Sequence, residues 1–266
     1  MIKVIVCGGC GKMGSKVGQL IYQNKDMGLI GIIESPSHPG IGKDWGMSVG
    51  LGKTGIIIRD TLEEIIQVTD QIVEFTNPQV SIQHLKIISK YKKAMIVGTT
   101  GFSSEELEII NELAQGIPFL LSPNMSLGVN LLFKLATETA VALSDDYDIE
   151  IVEAHHRFKK DAPSGTAKKL AQEIAKAKGV NLDEVAIYGR EGIIGERKKG
   201  EIGIHSIRSG DITGEHTVMF TALGERLELT HKAHSRDTFA YGTIQAIKFL
   251  KDKPTGFYEM KDVLKI

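Results

Sequence analysis

The sequence has few cysteines and almost no net charge. Its 266 residues include two cysteines, Cys7 and Cys10, and the formal net charge is −1 at pH 7. Two cysteines close together cannot supply the disulfide framework that stabilises small secreted domains. A net charge this close to zero is not typical of a general nucleic-acid-binding protein, so any basic patch must be local.

Long apolar runs are also absent from the sequence. No stretch reaches the roughly 20 apolar residues that a membrane-spanning helix needs, and Met1-Ile2-Lys3 leads directly into a strand-like segment. We therefore expect no signal peptide, a cytoplasmic location, and neither a membrane nor a nucleic-acid partner. A hydrophobic share of 42% and a charged share of 24% are ordinary for a globular protein.

A glycine-rich turn follows the first predicted strand. Residues 2–6 predict a short buried strand, and a helix is predicted from about 15 to 22. Between them, Gly9, Gly11 and Gly14 fit G-x-G-x-x-G, and Gly8, Gly11 and Gly14 fit a looser G-x-x-G-x-x-G. A dinucleotide site needs such glycines for a tight turn and for close approach of the backbone to a pyrophosphate. The strand before and the helix after favour this site over a purely structural turn.

The same segment holds the pair Cys7 and Cys10 in CxxC spacing. A redox or metal-binding pair is therefore an alternative interpretation of this turn. Because the sequence has no second CxxC, we favour packing or chance for both cysteines.

A second predicted strand, at 29–33, ends in Glu34, which lies 20 residues beyond Gly14. A carboxylate in that place binds the adenosine ribose hydroxyls and repels a 2′-phosphate, which favours NAD. Ser35 could hydrogen-bond such a phosphate and Lys12 could neutralise it. Use of both NADH and NADPH is therefore expected, with NADH somewhat preferred.

Strands and helices then alternate, which predicts a parallel sheet flanked by helices. The predicted strands are 56–58, 71–75, 94–97 and 117–121, and the predicted helices are 61–66, 78–92 and 103–114, with a glycine-rich loop at 40–55. Ligands of such sheets bind beyond the carboxyl ends of the strands, and four strand ends here are small, polar or glycine-rich. The candidate cofactor-binding residues are Gly8, Gly9, Cys10, Gly11, Lys12, Met13, Glu34, Gly98, Thr99, Thr100, Ser122, Pro123, Asn124 and Met125.

The second half of the sequence has a different pattern. A long apolar helix at 127–143 and an alternating strand at 147–154 precede a helix at 166–178, and a charged, glycine-rich stretch at 188–200 predicts a mobile surface loop. Strands at hairpin-like spacing follow at 202–207, 215–221 and 226–232, before a last helix at 238–250. We therefore predict an α/β protein, in which a Rossmann-like, doubly wound parallel sheet accompanies a second α+β domain with a mixed open sheet.

Four histidines lie on or beside the last three strands, namely His205, His216, His231 and His234. Neither H-x-x-E-H nor H-E-x-x-H occurs, so we interpret them as structural or surface residues and assign no metal.

The segment 153–166 carries the most specific chemistry of the sequence. Two histidines, His155 and His156, stand with Arg157, Lys159 and Lys160 within six positions, before Asp-Ala-Pro-Ser-Gly-Thr and a helix. Proton carriers and cations ahead of a helix N-terminus suit an anionic substrate that must be protonated. A solvated basic loop is the alternative, since most runs of charge are no more than that.

These motifs resemble the 4-hydroxy-tetrahydrodipicolinate reductase family, also called dihydrodipicolinate reductases, of the bacterial diaminopimelate and lysine pathway. The resemblance extends over nearly the whole chain and is most specific in the run E-x-H-H-R-x-K-x-D-A-P-S-G-T at 153–166. It also includes the segments 75–78, 98–102, 123–126, 203–208, 214–216, 224–226 and 256–260. Lys12 stands where an arginine is common in the family, so use of NADPH stays open.

The resemblance implies a function, an assembly and a domain division. NAD(P)H would reduce 4-hydroxy-tetrahydrodipicolinate, a small cyclic dicarboxylate, to tetrahydrodipicolinate with loss of water. His155 would act as general acid/base and Lys159 as second proton donor, while His156, Gly165 and Thr166 bind substrate. Residues 1–126 and 237–266 would form the dinucleotide-binding domain, and 127–236 the substrate-binding and oligomerisation domain of a homotetramer.

Two other classes remain as alternatives. Another dehydrogenase, for an amino acid or a sugar, would keep the glycine turn but has no reason to carry the run at 153–166. A non-catalytic NAD(P)-sensing protein would keep the cofactor half and lose the proton donors, yet both histidines and Lys159 are intact.

Overall fold

The computed structural model describes residues 1–266, except for the side chain of Ser144. The chain divides into two compact units, Met1–Ser126 with Asp237–Lys265 and Leu127–Arg236 with Ile266. None of the helices formed by the described residues has both the length and the apolar character needed to cross a membrane.

The strands are numbered β1 to β12 in chain order. They are Ile2–Cys7, Met27–Ile33, Ile58–Arg59, Gln71–Glu74, Ala94–Val97, Pro118–Leu121, Asp148–His155, Ala186–Tyr188, Ile202–Arg208, Gly214–Ala222, Glu225–Ala233 and Gly256–Tyr258.

The α-helices are numbered α1 to α9 in the same way. They are Lys12–Tyr22, Trp45–Ser48, Pro78–Lys90, Ser104–Ala114, Leu127–Ala142, Gly165–Ala177, Leu182–Val185, Asp237–Leu250 and Met260–Leu264. Short 3₁₀ helices occupy Ile66–Val68 and Ser144–Asp146.

The first unit contains a seven-stranded sheet in the order β12-β6-β5-β4-β1-β2-β3. Every pairing in this sheet is parallel. The chain builds outward from β1 in one direction through β2 and β3, and in the other from β4 through β5 and β6. The strand order therefore reverses between β1 and β4, and this switch point is where doubly wound sheets open a ligand crevice.

The central strands are buried on both faces, which explains why their sequences are continuous apolar runs. All four residues of β4 and of β5 are buried, because helices cover both faces of a parallel sheet. One side of the core packs Ile5, Ile72, Met95 and Phe119 against Leu85 and Ile110 of the flanking helices.

The second unit contains a five-stranded mixed sheet in the order β11-β10-β7-β9-β8. Strand β10 pairs antiparallel with both β11 and β7, whereas β9 is parallel to both β7 and β8. Ile149 and Ile151 of β7 pack with Val218 of β10 against residues of α5 and α6. On the same strand, Glu153 and His155 follow with the same alternation, so they point to the face that α6 covers.

The sheets confirm the predicted fold class, and several local predictions are wrong. The helix predicted at 61–66 is a turn followed by the 3₁₀ helix Ile66–Val68, and the predicted loop at 40–55 contains α2. Strands β8 and β12 were not predicted, because segments of three residues carry too little periodicity to be recognised. Strands β9 and β10 follow one another along the chain, but β7 lies between them in the sheet.

Candidate functional site

The glycine turn after β1 has the geometry of an anion-binding cradle. Gly8 has φ +74°, and a Cβ there would lie 2.4 Å from the carbonyl oxygen of Phe75 at the end of β4. A Cβ on Gly14 would lie 2.1 Å from the carbonyl oxygen of Gly8, so the start of α1 packs directly on the turn. No side chain among the described residues caps α1. Its first backbone N–H groups can therefore bind a phosphate, as helix N-termini do.

Glu34 reaches from the end of β2 back to this turn. Its Oε1 accepts the backbone N–H of Cys10 at 2.7 Å. The carboxylate thus lies at the edge of the turn, where the sequence pattern predicts a residue that binds the ribose. Burial and the negative charge of Glu34 raise the pKa of the Cys10 thiol to about 11, so this thiol stays protonated.

The other candidate cofactor residues lie at the same edge of the sheet. Gly98, Thr99 and Thr100 directly follow β5, and Ser122 to Met125 directly follow β6. Because all these strands are parallel, their carboxyl ends and the glycine turn share one edge. Thr99, Ser122 and Met125 are buried, so their side chains support the loops, whereas Thr100 and Pro123 are exposed.

Cys7, Glu74 and His84 form a polar cluster in which Cys7 and Glu74 are buried. One ligand atom from each lies within 4.8 Å of the others. Oε2 of Glu74 lies 2.6 Å from Nδ1 of His84, and its Oε1 accepts the hydroxyl of Thr76 at 2.5 Å. Burial, followed by the charge of Glu74, raises the pKa of the Cys7 thiol. The cluster is thus held by its own hydrogen bonds, and Cys7 and Cys10 lie beside different carboxylates.

In the second unit, the conspicuous run at 153–166 is built around a buried carboxylate. Glu153 is 0% exposed and accepts two hydrogen bonds from Arg208, at 2.9 Å and 2.7 Å. The backbone N–H of Ser164 donates a third at 3.1 Å. Burial opposes ionisation of this group, but the bonds from Arg208 and His155 outweigh burial and lower the pKa of the Glu153 carboxyl to about 2.

His155 completes the coordination of this carboxylate. Its Nδ1 lies 2.5 Å from Oε2 of Glu153. Since an ionised carboxylate can only accept, Nδ1 carries a hydrogen and Nε2 is the nitrogen that gains or loses a proton. Nε2 lies over β10, where a Cβ on Gly214 would be 3.0 Å away. Burial lowers the pKa of His155; Glu153 opposes this shift, and the charge of Lys159 adds to it.

The remaining predicted residues surround the turn from β7 into α6. The Nζ of Lys159 donates to Oδ1 of Asp161 at 2.8 Å, and Nδ1 of His156 is buried with no hydrogen-bond partner among the described residues. Gly165 and Thr166 are the first two residues of α6, at the end of the helix toward which its backbone N–H groups point. A Cβ on Gly165 would meet no described atom within 4 Å, which leaves space for a ligand.

The sequence assigned no catalytic or binding role to four residues of this constellation, Glu153, Ser164, Arg208 and His216, and it gave His216 only a structural or surface role. Ser164 caps α6, Arg208 binds Glu153, and His216 lies 3.1 Å from the Ser164 hydroxyl. Glu153 itself is two residues before His155 on a strand, so its place on the same face could have been predicted. Arg208 and His216 come from β9 and β10, and no local spacing indicates that they reach this site.

Comparison with known proteins identifies the family. The N-terminal domain model of dihydrodipicolinate reductase matches residues 2–125, and the C-terminal domain model matches residues 128–264. The chain belongs to the dihydrodipicolinate reductase family.

Its relatives agree over the full length. The chain is 52% identical to the 4-hydroxy-tetrahydrodipicolinate reductase of Syntrophus aciditrophicus (strain SB), covering 99% of this chain and 98% of that protein. It is 45% identical to that of Geobacter sp. (strain M21), covering 99% of both. The dipicolinate-bound dihydrodipicolinate reductase of Paenisporosarcina sp. TG-14 superimposes with a TM-score of 0.78 at 25% identity, over 97% of each chain.

A more distant neighbour shares the fold alone. An amine dehydrogenase from Mycobacterium smegmatis superimposes with a TM-score of 0.60 at 15% identity, covering 97% of this chain and 94% of that one.

These findings confirm the predicted family and activity. The chain is an oxidoreductase that reduces 4-hydroxy-tetrahydrodipicolinate in the diaminopimelate and lysine pathway. They also confirm a nicotinamide cofactor, and the residues of the first unit fit one. The tight turn that requires glycine at Gly8 brings the backbone close to the start of α1, whose uncapped N–H groups are donors for its pyrophosphate.

Proposed function

We propose that His155 protonates the substrate through Nε2 while Glu153 holds Nδ1. The observation that carries this assignment is the 2.5 Å contact between Nδ1 of His155 and the ionised carboxylate of Glu153. Such a pair fixes the tautomer of the imidazole and stabilises its protonated form, as general acid/base catalysis requires. When bound, the reduced nicotinamide supplies the hydride. The chain supplies the protons that accompany reduction and loss of water.

Lys159 is the second proton donor in this proposal. Its side chain is 21% exposed, and its ammonium group is paired with Asp161, whose side chain is 60% exposed. A surface pair of this kind contributes little stability, so an incoming dicarboxylate can compete for the lysine. Lys159 lies four residues after His155 and offers a second N–H to the substrate.

The start of α6 and His156 bind the substrate's carboxylates. The amides of Gly165 and Thr166 and the Thr166 hydroxyl suit a carboxylate, because a helix N-terminus carries partial positive charge. His156, whose Nδ1 lacks a hydrogen-bond partner among the described residues, supplies a further polar contact from its ring. Negative charge from the substrate raises the pKa of His155 on binding and offsets the effect of Lys159.

The cofactor is NADH or NADPH, with NADH somewhat preferred. Glu34 binds the adenosine ribose hydroxyls, and the turn from Gly8 to Met13 binds the pyrophosphate. The loops 98–100 and 122–125 line the nicotinamide. The contact of Glu34 with the Cys10 amide supports this, because it fixes a negative charge at the edge of the turn, where a 2′-phosphate is disfavoured.

We further propose a cytoplasmic homotetramer assembled through the sheet of the second unit. Helices α5 and α6 pack on the face that carries Ile151 and Val218. Val152 and Ile207 belong to the opposite face, and Ile207 is 47% exposed. Light scattering after size-exclusion chromatography measures the assembly, and a monomer at micromolar concentration would contradict it.

The activity is tested by incubating the protein with NADH and the product of dihydrodipicolinate synthase. Loss of NADH absorbance is expected, and a parallel series with NADPH measures the cofactor preference. Reduction of an amino-acid or sugar substrate instead, or cofactor binding without turnover, would favour the two alternative classes.

A further inference from the structure

His216 is a buried, uncharged imidazole next to the proposed proton donor. It lies on β10, is 3% exposed, and its ring is edge-on to that of His155 with 5.2 Å between centroids. Burial lowers the pKa of His216 to about 3, and the charge of His155 adds to this effect. The ring therefore stays neutral at any pH at which a biosynthetic enzyme works.

A hydrogen bond ties His216 to Ser164. Nε2 lies 3.1 Å from Oγ of Ser164, and that oxygen already accepts the backbone N–H of Ala167. The Ser164 hydroxyl can donate its hydrogen to Nε2 or accept one from it, and in both cases this bond leaves Nδ1 of His216 without a partner.

The position of Nδ1 has a cost that packing alone would not require. Nδ1 of His216 is buried with no hydrogen-bond partner among the described residues. A buried polar nitrogen without a partner destabilises a fold, so an apolar ring of similar shape would suit the core better. Retention of a polar ring here therefore indicates a role in the site.

Ser164 connects His216 to the start of α6 and to the Glu153–His155 pair. Its hydroxyl caps α6, whose first residues bind the substrate in the proposed function. Its backbone N–H donates to Glu153, which in turn holds His155. His216 therefore contacts both Ser164, by a hydrogen bond, and His155, through its ring.

We propose that His216 is a positioning residue that fixes His155 relative to the start of α6. The proton donor and the carboxylate-binding amides then keep the spacing that one bound substrate molecule requires. The inference rests on the proposed function, since it takes Gly165 and Thr166 to bind the carboxylate. A neutral ring suits this role, because a charged one would disfavour the protonated form of His155.

The test compares His216→Phe with the wild-type enzyme. Phenylalanine keeps the ring contact and removes both nitrogens, and the exposed His234 provides the matched control, His234→Phe. In His216→Phe, we expect KM for the dicarboxylate to rise and kcat to fall by about tenfold or more each, with KM for NADH unchanged. The apparent pKa in the pH profile of kcat/KM should differ from the wild-type value, because the ring beside His155 is no longer bonded to Ser164.

Ser164→Ala tests the connection itself. His216 and Ser164 are proposed to act through one hydrogen bond. The double variant His216→Phe, Ser164→Ala should therefore have a kcat/KM for the substrate only slightly below that of the more severe single variant. If His216→Phe proves unfolded by circular dichroism, His216→Gln takes its place, because its amide can still bond to Ser164; partial retention of the wild-type KM is then expected.

Two outcomes have different meanings. If the wild-type enzyme consumes neither NADH nor NADPH with this substrate, the proposed function is wrong. If His216→Phe keeps the wild-type kcat, substrate KM and pH profile, only the inference about His216 is wrong. His216 is then a packing residue.

Discussion

Oε2 of Glu153 and Nδ1 of His155 lie 2.5 Å apart, on side chains two residues apart along the same strand. Strand alternation places both on one face, and Arg208 holds the carboxylate from the neighbouring strand. The pair therefore aims a single nitrogen of His155, Nε2, away from Glu153. The catalytic predictions below depend on this contact.

Replacement of His155 by glutamine should remove the principal proton donor. We expect His155→Gln to lower kcat by about two orders of magnitude or more, because general acid/base catalysis contributes that much. NADH affinity, measured by fluorescence titration, should change little. The exposed His234 supplies a control, His234→Gln, which should retain wild-type kcat. Wild-type turnover by His155→Gln would contradict the assignment.

Lys159→Ala should also lower kcat by about two orders of magnitude. The adjacent exposed Lys160 offers a matched control, since Lys160→Ala removes the same charge one position away. Steady-state kinetics with saturating NADH distinguish the two variants. Equal losses in both would show that Lys159 acts only through the general positive charge of the segment.

Cofactor preference should depend on Glu34. Replacement by alanine removes the charge that disfavours a 2′-phosphate and the hydrogen bonds to the ribose. We expect the ratio of kcat/KM with NADH to kcat/KM with NADPH to fall by about tenfold in Glu34→Ala, which corresponds to roughly 1.4 kcal/mol. A ratio that stays at the wild-type value would place the ribose elsewhere.

The Glu153 carboxylate should make stability depend on pH in the acid range. Its pKa is about 2 in the folded protein, against an ordinary value of about 4.3 in an unfolded chain. Because the folded value is the lower one, the stabilisation is complete above about pH 4.3 and is lost as the pH falls toward 2. Its size is on the order of 3 kcal/mol.

Urea unfolding at a series of pH values tests this dependence. Glu153→Gln should be less stable than wild type at pH 6, since Arg208 loses its ionised partner, and the difference should shrink as the pH falls through the range from 4.3 to 2. A difference that is the same at every pH would assign the loss to packing instead.

Chelation of metals should leave turnover unchanged. Cys7, Glu74 and His84 are the one described group of three with metal-ligand spacing, and Glu74 already accepts hydrogen bonds from Thr76 and His84. Dialysis against EDTA, followed by the NADH assay, measures the effect. Loss of activity that zinc restores would show that this cluster holds an ion and would overturn the assignment of no metal.

Some local features could be predicted because their causes are local. Asn77 caps α3 ahead of Pro78, and Ser103 and Glu106 form the capping box of α4, as their spacing indicates. Tertiary contacts determine the local structure of other segments. α2 forms within a glycine-rich loop because Trp45 is buried and its indole N–H donates to the carbonyl of Gly9, 36 residues away.

The order of strands in the second sheet is a further example. The spacing of β9, β10 and β11 suggests consecutive hairpins, but β7 lies between β9 and β10. Main-chain hydrogen bonds are alike along any strand, so the spacing of strands in sequence cannot reveal which two of them pair. The register of β7 with both neighbours brings Arg208 and His216 to Glu153 and His155.

The sequence by itself determined the chemistry that this protein carries: a glycine turn for a dinucleotide, and histidines and lysines ahead of a helix start. These features depend on residues that are neighbours along the chain, where spacing and side-chain type are sufficient. Only the tertiary structure decided how His155 is held. Its carboxylate partner is fixed by an arginine 55 residues away, and its ring packs against a histidine from another strand. Contacts of that range arise when burial of the apolar faces of a sheet sets the pairing of its strands, and no local pattern records them.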